Sequence, residues 1–134
     1  MAMGLTIEMT EGSRMLHVRL SGLVDFSSCR EIYQQLLELN PDHLAQNILY
    51  DLSEVEDIDL TFEEMNGLIG LRRAYYGDSK GARIAIFAPT DTTFGMSRMY
   101  SSLLDQFDSV QVEVFRTHAN ALAYLDIDAT ASQE

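Results

Sequence analysis

The feature that most constrains the fold of this chain is the regular alternation of short apolar strands with amphipathic helices. Two runs of period-two alternation open the sequence, at residues 5–10 and 15–20, with Gly22 expected to end the second. Every later strand pattern is followed by a helix pattern, so the predicted order is β-β-α-β-α-β-α-β-α. This order predicts an α/β fold with right-handed crossovers and a sheet that is largely parallel after its start.

Apolar residues at helical spacing predict three long helices, at residues 26–39, 61–76 and 92–107. The remaining predicted elements are strands at residues 47–52, 83–88 and 110–115 and a last short helix at residues 119–125. Residues 127–134 are polar and are expected to form a flexible tail. One domain over residues 1–134, with its core at about 5–126, is therefore expected.

Helix caps are expected at the start of each long helix. Ser28 and Glu31 have the spacing of a capping box, and so do Thr61 and Glu64. The third long helix has two candidate caps, Asp91 and Thr92.

Charge restricts the classes of partner. Nine basic residues against twenty-one acidic ones give a net charge of −12. Binding to nucleic acid, and charge-driven docking on anionic lipid, both need clustered lysine and arginine, so neither is expected. Acidity of this kind keeps a small protein dispersed, and a partner with a basic surface is the alternative explanation.

The sequence contains no pattern typical of a membrane or secreted protein. No apolar run reaches the ~20 residues of a membrane span. The amino-terminal residues lack the pattern of a signal peptide. A cytoplasmic location is therefore expected.

No catalytic or metal-binding constellation is evident. His17, His43 and His118 lie in different predicted elements without the converging spacing that zinc requires. Cys29, the only cysteine, lies on the apolar stripe of the first long helix and is expected to be buried and slow to react. No nucleophile elbow, phosphate-binding loop or dinucleotide fingerprint is present. We therefore expect neither an enzyme nor a bound cofactor.

Two pairs of residues are candidates for facing a ligand. Gly67 and Gly70 give the second long helix a small-residue face, which either packs closely on another helix or leaves room for a ligand or partner. Met96 and Met99 lie on the apolar stripe of the third long helix and are expected in the core. Because methionine is adaptable, they would also suit the wall of a ligand pocket.

The most informative region is residues 51–64. Here a short strand is expected to run into an acidic loop and then into a capped helix. Sites in open α/β sheets form at such strand ends. The candidate partner-binding residues in this region are Asp57, Asp59, Leu60, Thr61, Phe62 and Met65.

The same region resembles the STAS family, the domain of bacterial anti-sigma-factor antagonists. Members carry a strand ending in D/N-L-x-x-V/L and then I/M-D-S-S/T-G before a helix, and residues 51–62 read DLSEVEDIDLTF. Residues 20–25, LSGLVD, resemble the family's L-x-G-x-L/V-D step into the first helix. The resemblance covers about residues 5–126. It implies a mixed five-stranded sheet with helices packed on it and a non-catalytic regulatory or protein-interaction role.

The departures from the family pattern are specific. In phosphoregulated members the first hydroxyl after the aspartate accepts the phosphate, and Leu60 stands at that position here. Phe62 replaces the family's glycine, and only Thr61 keeps a hydroxyl, one position later. The resemblance therefore implies a divergent stand-alone member that lacks the phosphoacceptor serine.

Two functions remain open at this stage. One is a regulatory module that binds a protein partner or forms a homodimer, which an exposed apolar patch around the second long helix would favour. The other is a small carrier of apolar, lipid-like ligands, similar to lipid-carrier domains of the Sec14 type. A sizeable closed apolar cavity would favour the carrier.

Overall fold

The computed structural model describes residues 4–10, 15–39, 47–76, 83–107 and 111–125. Strands and helices follow one another in the order β1 (Gly4–Thr10), β2 (Met15–Asp25), α1 (Phe26–Leu39), β3 (Asn47–Asp59), α2 (Phe62–Tyr76), β4 (Arg83–Phe87), α3 (Asp91–Phe107), β5 (Gln111–Phe115) and α4 (His118–Tyr124). The tail predicted at residues 127–134 lies outside the described residues.

The sheet has the strand order β1-β2-β3-β4-β5. Strands β2 to β5 pair in parallel and are joined by α1, α2 and α3 as crossover helices. Strand β1 adds an antiparallel edge next to β2. The predicted α/β class, with a sheet that is parallel after its opening hairpin, is confirmed.

Two apolar clusters lie on opposite faces of this sheet. The main core contains Ile48 and the buried residues of α1, α2 and α3. The smaller cluster contains Leu49 and Ala121, where α4 packs on β4 and β5. Successive residues of a strand point to opposite faces, so Ile48 and Leu49 belong to different clusters. The three long helices therefore share one face, and α4 covers part of the other.

The three long helices have nearly the predicted bounds, and the capping box of α2 is confirmed. The Thr61 backbone N–H donates to Glu64 Oε1 at 3.0 Å, and the Glu64 N–H donates to Thr61 Oγ1 at 3.1 Å. Each side-chain oxygen thus accepts a hydrogen bond from a backbone N–H that has no acceptor within the helix.

The predicted caps of α1 and α3 are wrong. Helix α1 begins at Phe26, so Ser28 lies inside its first turn, and its N–H donates to Asp25 Oδ1 at 2.9 Å. Helix α3 is capped by Thr90, whose Oγ1 accepts from the Thr93 N–H at 3.1 Å. In both cases the capping side chain lies earlier in the sequence than the predicted one, on the residue directly before the first helical residue.

The largest correction concerns the acidic stretch after Leu52, which was predicted to be a loop. Strand β3 continues to Asp59, and β2 continues past Gly22 to Asp25. The two extensions pair with each other from Ser21 opposite Glu54 to Asp25 opposite Asp59. Gly22 has a φ of 77° between two register shifts, a conformation that favours glycine. Gly22 therefore bends the second strand without ending it.

Candidate functional site

An apolar cavity of about 100 Å³ lies between the sheet and the three long helices. The sheet side is formed by side chains of β2, β3 and β4, and the helix side by side chains of α1, α2 and α3. The strand side chains include Leu20, Leu52 and Ile86, and the helix side chains include Ile32 and Met65. Because all of these side chains are buried, the cavity reaches into the main core.

The cavity is partly open to solvent. Its half-buried lining residues include Ile58 and Leu60 at the carboxyl end of β3 and Met96 on α3, together with Tyr50 and Tyr100. Phe62 begins α2 two residues after Leu60, and its side chain is 57% exposed. The opening therefore lies where α/β sheets commonly form binding sites, at the carboxyl ends of parallel strands.

The polar groups on the cavity wall are neutral. The hydroxyls of Tyr33 and Tyr100 lie 2.9 Å apart and share a hydrogen bond. Burial raises the pKa of Tyr33 well above its ordinary value, and the nearby Tyr100 adds to the effect. The wall thus offers mostly apolar surface, together with a bonded hydroxyl pair and the hydroxyls of Tyr50 and Ser97.

Cys29 also lines the cavity and is buried, as predicted. Burial raises the pKa of its thiol to about 12, and the negative charge of Asp25 acts in the same direction. The thiolate is the nucleophilic form, and a pKa this high keeps the thiol protonated near neutral pH.

The candidate partner-binding residues divide between the cavity and the surface. Leu60 and Met65 line the cavity, and Met65 is only 1% exposed, so it forms part of the floor. Thr61 and Phe62 are exposed at the start of α2. The two aspartates, Asp57 and Asp59, are exposed near the end of β3. Two of the six residues therefore line the cavity, and the other four are exposed at the end of β3 and the start of α2.

The candidate ligand-facing residues are not brought together. Met96 lines the cavity, whereas Met99 is 44% exposed and is not part of the wall. A Cβ added at Gly67 would approach Phe26 Cε1 to 3.3 Å, which indicates close packing of α2 on α1. Gly70 is exposed, with open space around it. Only Met96 of the four lies where a cavity ligand would contact it.

A buried carboxylate, Asp51, lies on the opposite face of the sheet from the cavity. Its Oδ1 accepts from the Ser53 N–H at 2.9 Å, and its Oδ2 lies 3.5 Å from Arg19 Nε and 3.8 Å from His17 Nε2. Burial raises the Asp51 pKa, but the hydrogen bonds from Ser53 and the charge of Arg19 outweigh it and lower the pKa overall. No sequence pattern indicated this cluster beyond the aspartate of the strand-end motif.

Within the described ranges, no group of three histidine, cysteine or acidic side chains is arranged to hold a metal ion. Of the helices that the structure describes, none has the length and apolar character needed to cross a bilayer.

No family model and no curated protein matches this chain in sequence. Solved structures match it in fold. SpoIIAA, an anti-sigma factor antagonist in its unphosphorylated form, gives a TM-score of 0.58 at 15% identity, over 92% of this chain and 98% of that one. An anti-sigma factor antagonist from Mycobacterium paratuberculosis gives a TM-score of 0.56 at 17% identity, over 93% and 95% of the two chains.

The chain has the STAS fold. A third match agrees with this assignment, an uncharacterized protein of the DUF3478 family from Shewanella loihica with a SpoIIAA-like fold. Its TM-score is 0.55 at 17% identity, over 92% of this chain and 93% of that one. The half-buried side chain of Leu60 lines the cavity.

Proposed function

We propose that this STAS-fold chain is a non-catalytic regulatory module that binds a protein partner at the end of β3 and the start of α2. The observation that carries the proposal is the exposure of Phe62 beside the half-buried Ile58 and Leu60. Phe62 thus presents a large exposed aromatic side chain two residues along the chain from the cavity-lining Leu60. Buried aromatic anchors dominate the binding energy of protein interfaces. The fold similarity to anti-sigma factor antagonists supports a protein partner.

The charge around this surface favours a basic partner. Residues 54–64 contain six carboxylates and no lysine or arginine. Asp57, Asp59 and Glu63 are exposed within this stretch. Complementary charge accelerates encounter and selects among partners, so a surface rich in lysine or arginine fits here.

Control by phosphate at the family's acceptor position does not fit this surface. Leu60 has no hydroxyl, and Thr61 Oγ1 already accepts the Glu64 N–H at the start of α2. A phosphate on Thr61 would add nearly two negative charges beside Asp59, Glu63 and Glu64. We therefore propose that binding is regulated without a phosphoserine switch.

The proposal is tested by affinity purification of the full chain from its own cells, with quantitative mass spectrometry. Wild type is compared with Phe62→Ser and with Met99→Ser, which removes the other large apolar side chain that is exposed among the described residues. A partner should be recovered with wild type and Met99→Ser and fall at least about 10-fold with Phe62→Ser. Equal recovery of the partner with all three proteins would contradict the proposal, provided that thermal unfolding shows each of them to be folded.

A second candidate function, binding of a small apolar molecule, is favoured by the cavity itself. The cavity volume of about 100 Å³ is below the roughly 300–1,000 Å³ of pockets that hold drug-sized ligands. An acyl chain therefore does not fit without a large rearrangement, and only a molecule of a few heavy atoms does. Native mass spectrometry of protein purified from its own cells tests this function. An added mass that is lost on unfolding would support it.

A further inference from the structure

We propose that the cavity receives one apolar side chain, of about leucine or methionine size, from a basic segment of the partner. This inference rests on the proposed protein-binding function and adds the chemistry of the segment that is bound. We call the cavity with its opening at Ile58, Leu60 and Met96 the anchor pocket.

The size of the anchor pocket fits a single side chain. Its volume is about 100 Å³, and an apolar cavity of roughly 150 Å³ holds one benzene-sized group. A partner side chain in the pocket would contact Met65 at the floor and Met96 at the opening. A longer lipid-like chain would extend beyond the space available.

The walls select an apolar side chain over a polar one. The hydroxyls of Tyr33 and Tyr100 bond to each other, the thiol of Cys29 is neutral, and Ser97 and Tyr50 add two further hydroxyls to an otherwise apolar wall. A charged or amide side chain placed here would lose its water without gaining comparable hydrogen bonds. An aliphatic side chain gives up no hydrogen bond to water and removes apolar surface from it.

The surroundings of the opening favour lysine or arginine on either side of that anchor. Glu63 is exposed in the first turn of α2, on the side of the three long helices. Asp57 and Asp59 are exposed at the end of β3 and, by strand alternation, project from the sheet face opposite to the lining residue Ile58. A segment whose apolar residue enters the pocket would therefore meet Glu63 directly, and would meet the two aspartates with a basic residue that reaches around the end of β3.

The inference is tested with fluorescent nine-residue peptides, in which lysines and serines flank a central leucine, alanine or asparagine. Binding to the full chain is measured by anisotropy. The leucine peptide should bind about 10-fold tighter than the alanine peptide, because only leucine fills the pocket. Raising the salt concentration should weaken the leucine and alanine peptides by a similar factor, because their flanking charges are the same.

A filled pocket provides the matched control. Ser97 is buried in the wall, so Ser97→Leu should place a side chain in the cavity and reduce the preference for leucine to less than twofold. Met99→Ser, which lies outside the cavity wall, should keep the preference for the leucine peptide. If Ser97→Leu does not fold, methyl NMR of the methionines in the wild-type protein shows whether the leucine peptide occupies the pocket. The leucine peptide should shift the Met65 and Met96 signals more than the Met99 signal.

Equal binding of the leucine and alanine peptides, or a shift confined to Met99, would overturn the inference. The two proposals fail differently. If Phe62→Ser abolishes recovery of the partner while the central residue of the peptide has no effect, the binding surface stands and the anchor pocket does not. If Phe62→Ser leaves recovery unchanged, the binding surface itself is wrong.

Discussion

The hydroxyl of Tyr33 on α1 lies 2.9 Å from the hydroxyl of Tyr100 on α3, although the two residues are 67 positions apart. Both rings line the anchor pocket, and Tyr33 is buried in the main core. Their hydrogen bond joins the first and third long helices across the cavity. The pair therefore holds the cavity walls in place and leaves apolar surface for an occupant.

Replacing either tyrosine with phenylalanine should reduce the free energy of unfolding by about 1 kcal/mol, because one hydrogen bond is lost and a hydroxyl is left without this partner. The double variant should lose less than the sum of the two single variants, by at least about 0.5 kcal/mol. Urea unfolding of the four proteins measures this coupling. Strictly additive losses would show that the two hydroxyls do not interact in solution.

Thr61→Ala should behave as the loss of a helix cap. It removes the acceptor of the Glu64 N–H and should cost about 1 kcal/mol of stability, whereas Thr61→Asp keeps an acceptor and should cost less. Partner recovery should be largely unchanged in both variants. Phosphosite mapping on protein from its own cells completes the test. Substantial phosphate on Thr61, with binding lost in Thr61→Asp and kept in Thr61→Ala, would restore the family's switch.

Cys29 should react slowly with a thiol reagent in the native protein. A pKa of about 12 leaves a thiolate fraction at pH 8 that is roughly a thousandfold below that of an ordinary thiol. The higher nucleophilicity of such a thiolate offsets part of this difference, so we expect labelling at least about tenfold slower than for the unfolded chain. Labelling at equal rates in the presence and absence of denaturant would mean that Cys29 is exposed.

Asp51 should make the free energy of unfolding depend on pH in the acidic range. Its pKa is lowered in the folded protein, so its ionised form stabilises the fold above about pH 4, the ordinary aspartate range, and this contribution is lost as pH falls through the lowered pKa. Wild type should therefore exceed Asp51→Asn in stability at pH 7, and the difference should shrink below about pH 4. Urea unfolding at several pH values measures it. If the stability difference between wild type and Asp51→Asn stays constant or widens in acid, the pKa of Asp51 is not lowered in the folded protein.

The helices were predictable because their signal is local. The apolar stripe of residues 26–39 gives the bounds of α1 without error, and the spacing of Thr61 and Glu64 identifies the capping box of α2. In both cases the residues that form the pattern belong to the helix, or to the helix start, that the pattern predicts. The caps of α1 and α3 were missed because several polar residues stand near each helix start, and only the backbone conformation decides which of them caps.

The extension of β3 was not predictable from its own residues. Acidic side chains between Ser53 and Asp59 have low strand propensity, and Val55 and Ile58 do not alternate regularly. What makes this stretch a strand is its parallel pairing with residues 21–25, which lie far away in sequence. The cavity depends in the same way on side chains of β2, β3, β4 and three helices, so only Met96 and the residues around Leu60 could be connected with a site beforehand.

The most direct test of the central claim is photo-cross-linking in the native cells. A p-benzoylphenylalanine residue is placed at position 62, at the start of α2, or at the exposed position 123 on α4, which packs against the other face of the sheet. Position 62 should cross-link one defined protein and position 123 should not. Mass spectrometry should locate the attachment in a segment of that protein with an apolar residue between basic ones. Cross-links that are equally frequent from both positions, or that form only from position 123, would contradict a partner-binding surface at the start of α2.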